Sequence, residues 1–175
     1  MTPTLPLGID GWCLRGWRDA DAPSLAQLAD NVEVWRHMSD RFPHPYTLEV
    51  ARRWVSRGHL EFGGQNWAIA LDDLAVGGAG LHPGHGEIAC AAEIGYWLGQ
   101  PYWGRGVATQ VVRALAGRAL ALPGVVRVYA GVHADNPASM RVLAKNGFER
   151  EGLLRQSTLK AGRPIDRVIY AKIRA

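Results

Sequence analysis

Three short stretches of this chain carry residues whose type and spacing suit chemistry. In PYWGRGVAT, residues 101–109, Gly104 and Gly106 flank Arg105 where an apolar strand gives way to a helix. Glycines at such a junction let backbone N–H groups approach an anion closely, and the start of the following helix favours negative charge. Upstream, Glu93 is the one carboxylate in the apolar run ACAAEIGYWL, where it can act as a base toward a nucleophile. Downstream, Asn136-Pro137 is a strong helix start, a capping residue followed by proline, and Ser139 places a hydroxyl in the first turn. The turn signals a phosphate, yet many ligands carry phosphates.

Two familiar phosphate motifs fit it poorly. A dinucleotide fingerprint needs a third glycine where Thr109 stands, a turn that closes the strand directly, and an acidic residue at the end of the next strand. The phosphate loop of nucleotide hydrolases needs Gly-Lys followed by Ser or Thr, which is absent. A third reading is that the glycines only permit a tight turn and close helix-to-sheet packing.

The elements that must position these residues follow from hydrophobic periodicity. A strand over Cys13 to Trp17 precedes a helix over Ala22 to Ala29 and a short helical segment over Val32 to Met38. RFPHPYT is expected to be extended, since Pro43 and Pro45 exclude regular helix, and Thr47 caps a helix with Leu48, Ala51, Trp54 and Val55 on one face. Strands over Asn66 to Leu71, Ala75 to Leu81 and Glu87 to Leu98, separated by turn residues, suggest an antiparallel meander. A helix over Gly106 to Leu120 and a strand over Val125 to Val132 then make one βαβ unit with parallel strands. A helix from Pro137 to Gly147 and two strands, near Arg150 to Leu159 and Arg167 to Ile173, complete the order. Three consecutive strands ahead of the single crossover argue against a doubly wound sheet and for a mixed one.

Composition narrows the class. The 175 residues, 47% of them hydrophobic, fit a single domain, placed at residues 10–175. The net charge of +4 suits a polyphosphate ligand, but the basic residues are scattered without a five-residue block, so no nucleic-acid face is expected. Cys13 and Cys90 lie in apolar settings and read as buried free thiols, which points to a reducing, cytoplasmic compartment. No signal peptide and no apolar run near the roughly 18 residues of a membrane span is present, so a soluble protein without membrane association is expected. The six His show no ligand spacing, and no metal site is expected.

Taken together, AEIGYWLGQPYWGRGVATQVV and HADNPASMRVLAKNGFE resemble the GNAT superfamily of N-acetyltransferases, and within it the Rim-type ribosomal-protein N-terminal acetyltransferases. The resemblance covers roughly Cys13 to Ile173. It implies a mixed, mostly antiparallel α/β sheet with one splayed parallel pair, and acetyl-CoA as co-substrate. It implies that the backbone of Trp103, Gly104, Arg105, Gly106, Val107, Ala108 and Thr109 holds the pyrophosphate, with Trp103 standing where the family pattern has Gln or Arg. It further implies that the pantetheine arm lies along Ile94, Tyr96, Trp97 and Leu98, that an N–H near Ile94 to Tyr96 polarises the thioester, and that Asn136 and Ser139 touch the cofactor. Relatives often pair, so a homodimer is an expected state.

Acetyl transfer to an amine asks for a held thioester, a polarised carbonyl, a neutral amine and a proton for the departing thiolate. Glu93 is the candidate base, expected to be desolvated by its apolar neighbours, with an ordinary strand glutamate as the competing reading and Glu87 and His82 as weaker candidates. Ser139 is the candidate proton source, or else a solvated residue of the helix, and Asn136 reads either as a cap or as the cofactor contact that the resemblance implies. Many relatives use a tyrosine as the acid, and sequence alone assigns none of the five here. Arg105 is the preferred phosphate partner over Arg141 and Lys145. The segment Trp35 to Tyr46, with His37 and His44, is either an acceptor-binding wall or a loop packed by prolines. The acceptor is read as a protein N-terminal amine; the alternatives are a small amine (amino acid, polyamine, antibiotic) and a CoA-binding sensor without catalysis.

Overall fold

The computed structural model describes residues 3–61 and 63–174. One eight-stranded sheet runs through the molecule in the order β1 (Leu5–Pro6), β2 (Trp12–Arg15), β3 (Gln65–Leu71), β4 (Leu74–Pro83), β5 (Ala91–Leu98), β6 (Arg127–His133), β8 (Arg163–Ile173), β7 (Glu149–Lys160). Every neighbouring pair is antiparallel except β5 and β6. That parallel pair is joined by α5 (Val107–Leu120), so the expected βαβ unit is present.

Each face of the sheet has its own apolar layer. Val107, Val111, Val112, Leu115 and Ala119 of α5, with Leu143 of α6 (Pro137–Lys145) and Phe148, pack on one face. Leu115 and Leu143 are fully buried, and a buried leucine contributes about 1.5–3 kcal/mol relative to an exposed one. On the opposite face, α1 (Ala22–Ala29) and α3 (Leu48–Arg53) bury Leu25, Ala29, Ala51 and Tyr46, with Trp17, Trp54 and Trp97 at the margin. A short α2 (Val32–Trp35) and a last turn, α4 (His59–Glu61), complete this layer.

Local chemistry explains the boundaries. Asn31 caps α2 by accepting from the backbone N–H groups of Glu33 and Val34, and Thr47 caps α3 by accepting from Val50. Helix α2 ends at Trp35, short of the expected Met38. After α3 the chain widens into a π-turn over Trp54–Gly58, where Gly58 lies close to the Trp54 ring. The strand expected from Glu87 starts only at Ala91: Gly86–Ile88 forms a 3-10 turn led by Gly86 at φ +58°. Strand β1 is too short and too proline-bordered to show in the periodicity, and β2 ends at Arg15 rather than Trp17. There Arg15 turns into a buried ion pair, its guanidinium 2.8 and 2.9 Å from the Asp21 carboxylate oxygens. Cys13 is half-buried and Cys90 exposed, which corrects the expectation that both thiols are buried. No helix among the described residues is long and apolar enough to cross a membrane.

Candidate active site

The parallel pair does not stay paired. Ala91, Ala92 and Glu93 face Arg127, Val128 and Tyr129, after which β5 runs on to Leu98 and β6 to His133 with no pairing between them. The sheet therefore opens into a cleft bordered by Ile94–Leu98 on one side and Ala130–His133 on the other. Alternation along β5 divides its side chains: Ile94, Tyr96 and Leu98 belong to the α5 and α6 layer, while Trp97 packs in the α1 and α3 layer.

The glycine turn lies beyond the end of β5. Gly104 and Gly106 both take left-handed conformations, at φ +76° and +77°, and an added Cβ at either would project into open space. The N–H groups of Gly104, Arg105, Gly106, Val107 and Ala108 have no acceptor among the described residues, whereas the Thr109 N–H donates to the Gly106 carbonyl. Five unpaired donors around a helix start form an anion-binding concavity that fits a pyrophosphate. Trp103 donates from its ring N–H to the Leu98 carbonyl at 2.6 Å and so fastens the turn to the strand end. Arg105 folds back on the turn, donating to the Pro101 carbonyl and lying 5.6 Å over the Tyr102 ring.

Helix α6 approaches the cleft from the α5 side. Asn136 caps it by accepting from the Ser139 N–H at 3.1 Å. The Ser139 hydroxyl lies 2.8 Å from the Tyr96 hydroxyl, a contact joining α6 to β5 that sequence reasoning did not find. Strand alternation placed Tyr96 beside Ile94 and Leu98, but nothing in it foretold a partner on a later helix. Burial pushes the Tyr96 phenol up to about 12, with the Ser139 hydrogen bond opposing, so it stays protonated at neutral pH.

Glu93 is the last paired residue before the cleft opens, in register with His82 of β4 and Tyr129 of β6. Its side chain is 41% exposed and its carboxylate is 3.5 Å from the Arg167 guanidinium. The apolar enclosure expected from its neighbours is therefore incomplete, because the strands part beside it and Arg167 lies alongside. Gly131 makes this pairing feasible, since a Cβ there would collide with the Arg167 guanidinium lying across β6. Burial holds His82 below its usual range, and the Glu93 carboxylate counters in part. Glu87 lies in the 3-10 turn before β5, outside the paired strand.

A cavity of about 500 Å³ opens on the α1 and α3 side of the sheet, reaching Gly95, Tyr96 and Trp97. Phe42, Tyr46, Trp54, Trp67 and Trp97 line it, with Arg41, Arg53, Glu61 and His82 among its polar groups. Phe42 meets Trp97 edge-on at 5.5 Å, so the RFPHPYT segment is a wall of this cavity as well as a proline-set loop. The glycines of AVGGAG make the room: a Cβ at Gly78 would strike the Trp97 ring and one at Gly80 the His82 ring. His44 stacks on Trp35 and lies outside the lining.

A cleft in a parallel pair, an anion-binding turn beyond it and a cavity on one side match a known family. Residues 12–149 fit the acetyltransferase (GNAT) domain model. The chain belongs to the GNAT acetyltransferases. It is 30% identical over 173 residues to the N-acetyltransferase YoaA of Bacillus subtilis, covering 96% of each chain. It is 35% identical over 153 residues to the ribosomal-protein-serine acetyltransferase of Escherichia coli, covering 85% of each. Among solved structures, RimL, a ribosomal L7/L12 α-N-protein acetyltransferase in complex with coenzyme A, superposes with a TM-score of 0.83 at 25% identity over 98% of both chains. This GNAT chain is an N-acetyltransferase using acetyl-CoA, and the donor turn and open cleft are the features of its own structure that fit that co-substrate.

Proposed function

We propose that the protein acetylates the α-amino group of a polypeptide N-terminus, by direct attack of the amine on the thioester within a ternary complex. The observation that carries this reading is the cavity beside Gly95, Tyr96 and Trp97. Its walls are aromatic and apolar, it holds Arg41 and Arg53, and Glu61 is the one carboxylate among the described residues that line it. Such a lining offers little to a polyamine or aminoglycoside, whose several cations need several carboxylates. It suits a single amine on an apolar or amide-rich body. Relatives that act on ribosomal proteins support the same choice.

Acetyl-CoA supplies the activated acyl group and a thiolate as leaving group. The amides of Gly104 to Ala108 bind the pyrophosphate, and the free edge of Ile94–Leu98, flanked by Trp97 and Leu98, adds the pantetheine arm like a strand. A β5 N–H between Ile94 and Tyr96 donates to the thioester oxygen as charge develops on it. Glu93 takes the amine's proton, directly or through one water, from the acceptor side of the cleft. On the other side the Tyr96–Ser139 pair supplies a proton to the sulfur, and Asn136 holds Ser139 in place by capping α6. An α-amine with a pKa near 8 is roughly a tenth neutral at pH 7 and asks little of a base, whereas a lysine near 10.4 is almost wholly protonated.

The test is an acceptor panel read by thiol release and peptide mass. Peptides with free N-termini should outpace N-terminally blocked, lysine-containing peptides, spermidine and free amino acids by at least tenfold in kcat/KM. Preference for spermidine or a blocked peptide would overturn the proposal. Arg41 and Arg53 make a small amine carrying a carboxylate the competing acceptor, and free amino acids in the panel decide that case.

A further inference from the structure

Outside the donor cleft, one group of potential ligands stands out among the described residues: His37, just after α2, His133, the last residue of β6, and Asp135 in the turn leading to α6. One ligand atom from each lies within 4.8 Å of the other two. The His37 Nδ1 is 3.5 Å from Asp135 Oδ1, and the two imidazole rings meet edge-on with centroids 6.5 Å apart. His133 is only 8% exposed, and the Nδ1 atoms of both histidines are buried without a hydrogen-bond partner. The His37 Nδ1 has the Asp135 carboxylate at ion-pair distance without hydrogen-bond geometry and the His133 Nδ1 has no partner; a buried polar atom left unpaired costs about 1–3 kcal/mol, which a bound ligand would offset.

We propose that His37, His133 and Asp135 bind one divalent cation of the zinc class, clasping the segment after α2 to the β6–α6 turn. Two imidazoles and a carboxylate are the donors that Zn²⁺ accepts at about 2.0–2.2 Å, with a fourth position left for water. Calcium and magnesium favour all-oxygen shells and fit this set poorly. For bonds of that length the donors of a tetrahedron lie roughly 3.4 Å apart, so the present spacing, within 4.8 Å, has to close by about an ångström or more. Arg36 stands 3.9 Å from Asp135 Oδ2, which leaves Oδ1, the oxygen nearer His37, for the cation.

The position gives the clasp a consequence. Met38 and Ser39, directly after His37, line the acceptor cavity, and Asn136, whose N–H donates to the His133 carbonyl at 2.9 Å, begins the helix carrying Ser139. A cation at this point fixes the cavity wall relative to the cleft. Acetyl transfer itself needs no metal, so the role is positional.

The test uses the full, untagged chain stripped with chelator and titrated with Co²⁺, then Zn²⁺. Expected are one Co²⁺ per chain with the intense visible bands of four-coordinate cobalt, displacement by Zn²⁺, and a rise in melting temperature on zinc binding. His37→Asn and Asp135→Asn, at positions open enough to leave folding intact, should each weaken binding at least tenfold, while His85→Asn, at an exposed turn, should leave it unchanged. Absence of binding, a six-coordinate cobalt spectrum, or wild-type affinity in the His37→Asn and Asp135→Asn variants would overturn the proposal.

Discussion

The hydroxyls of Tyr96 and Ser139 lie 2.8 Å apart, one from β5 and one from the first turn of α6, across the α5-side border of the opened sheet. Tyr96 is held protonated by burial, so a proton is always available within the pair. If the two act as one proton source, Tyr96→Phe and Ser139→Ala should each lower kcat about 10²-fold, the lower end of what a general acid contributes. The double variant should then lose little more than either single one, since groups acting as a unit are not additive. Losses that multiply, measured by steady-state kinetics with an unchanged CoA dissociation constant, would separate the two residues.

Glu93 and Arg167 form a second relationship, 3.5 Å apart where β5 and β6 part. Glu93→Gln keeps the size and removes the base. Its expected effect is a fall in kcat of about 10²-fold with acetyl-CoA affinity intact. The fall should be larger for a lysine-containing acceptor than for an α-amine, because fewer of its amines are neutral at the outset. Equal rates for wild type and variant on both acceptors would remove Glu93 from the reaction.

How far the sequence could be read depended on whether each feature is local. Helix α5, the crossover and the glycine turn were legible because periodicity and positive-φ glycines leave a local signature. The starts of α3 and α6 were legible from Thr47 and Asn136. Three kinds of feature were not. The 41% exposure of Glu93 depends on strands separating, and one strand's composition cannot report its neighbour's path. The Tyr96–Ser139 contact and the His37–His133–Asp135 group are assembled by packing between elements distant in the chain. The late start of β5 turned on Gly86, whose left-handed conformation outweighed the apolar pattern from Glu87 onward.

Stability offers an independent measurement at Arg15 and Asp21. Their side chains are 5% and 3% exposed, the pair is bidentate, and Arg15 also donates to the Asp73 carbonyl at 2.6 Å. Asp21→Ala leaves a buried guanidinium without its partner and should lower unfolding free energy by about 3–5 kcal/mol. Chemical denaturation checks it. A change under 1 kcal/mol would mean that water or Asp73 takes over as partner.

The pH dependence of stability should carry a contribution from His82. Burial lowers its pKa below 6.5 in the folded chain, partly opposed by the Glu93 carboxylate and assisted by Arg41. Above 6.5 both folded and unfolded forms are neutral and nothing changes. Between 6.5 and the lower folded value the unfolded chain binds a proton that the folded one refuses, so stability falls as pH falls. Urea unfolding at pH 7.5 and 5.5 should show a smaller loss for His82→Gln than for wild type. An identical loss would assign the pH dependence to other groups.

Gly106 tests the donor turn. At φ +77° it holds a conformation that costs an L-residue about 1–2 kcal/mol, and its Cβ position is open, so Gly106→Ala meets no clash within the protein. Any loss of acetyl-CoA affinity then comes from the backbone turning away from left-handed geometry, or from a methyl group occupying the space above the five unpaired amides. Both effects weaken phosphate binding and neither touches Glu93, Tyr96 or Ser139. The expected result is an acetyl-CoA dissociation constant raised roughly 5- to 30-fold, the equivalent of that strain, with kcat at saturating acetyl-CoA close to wild type. Truncated donors lacking the pyrophosphate, such as acetyl-pantetheine, should bind wild type and variant alike. If the variant discriminates against truncated donors as strongly as against acetyl-CoA, the turn shapes the fold and does not hold the pyrophosphate.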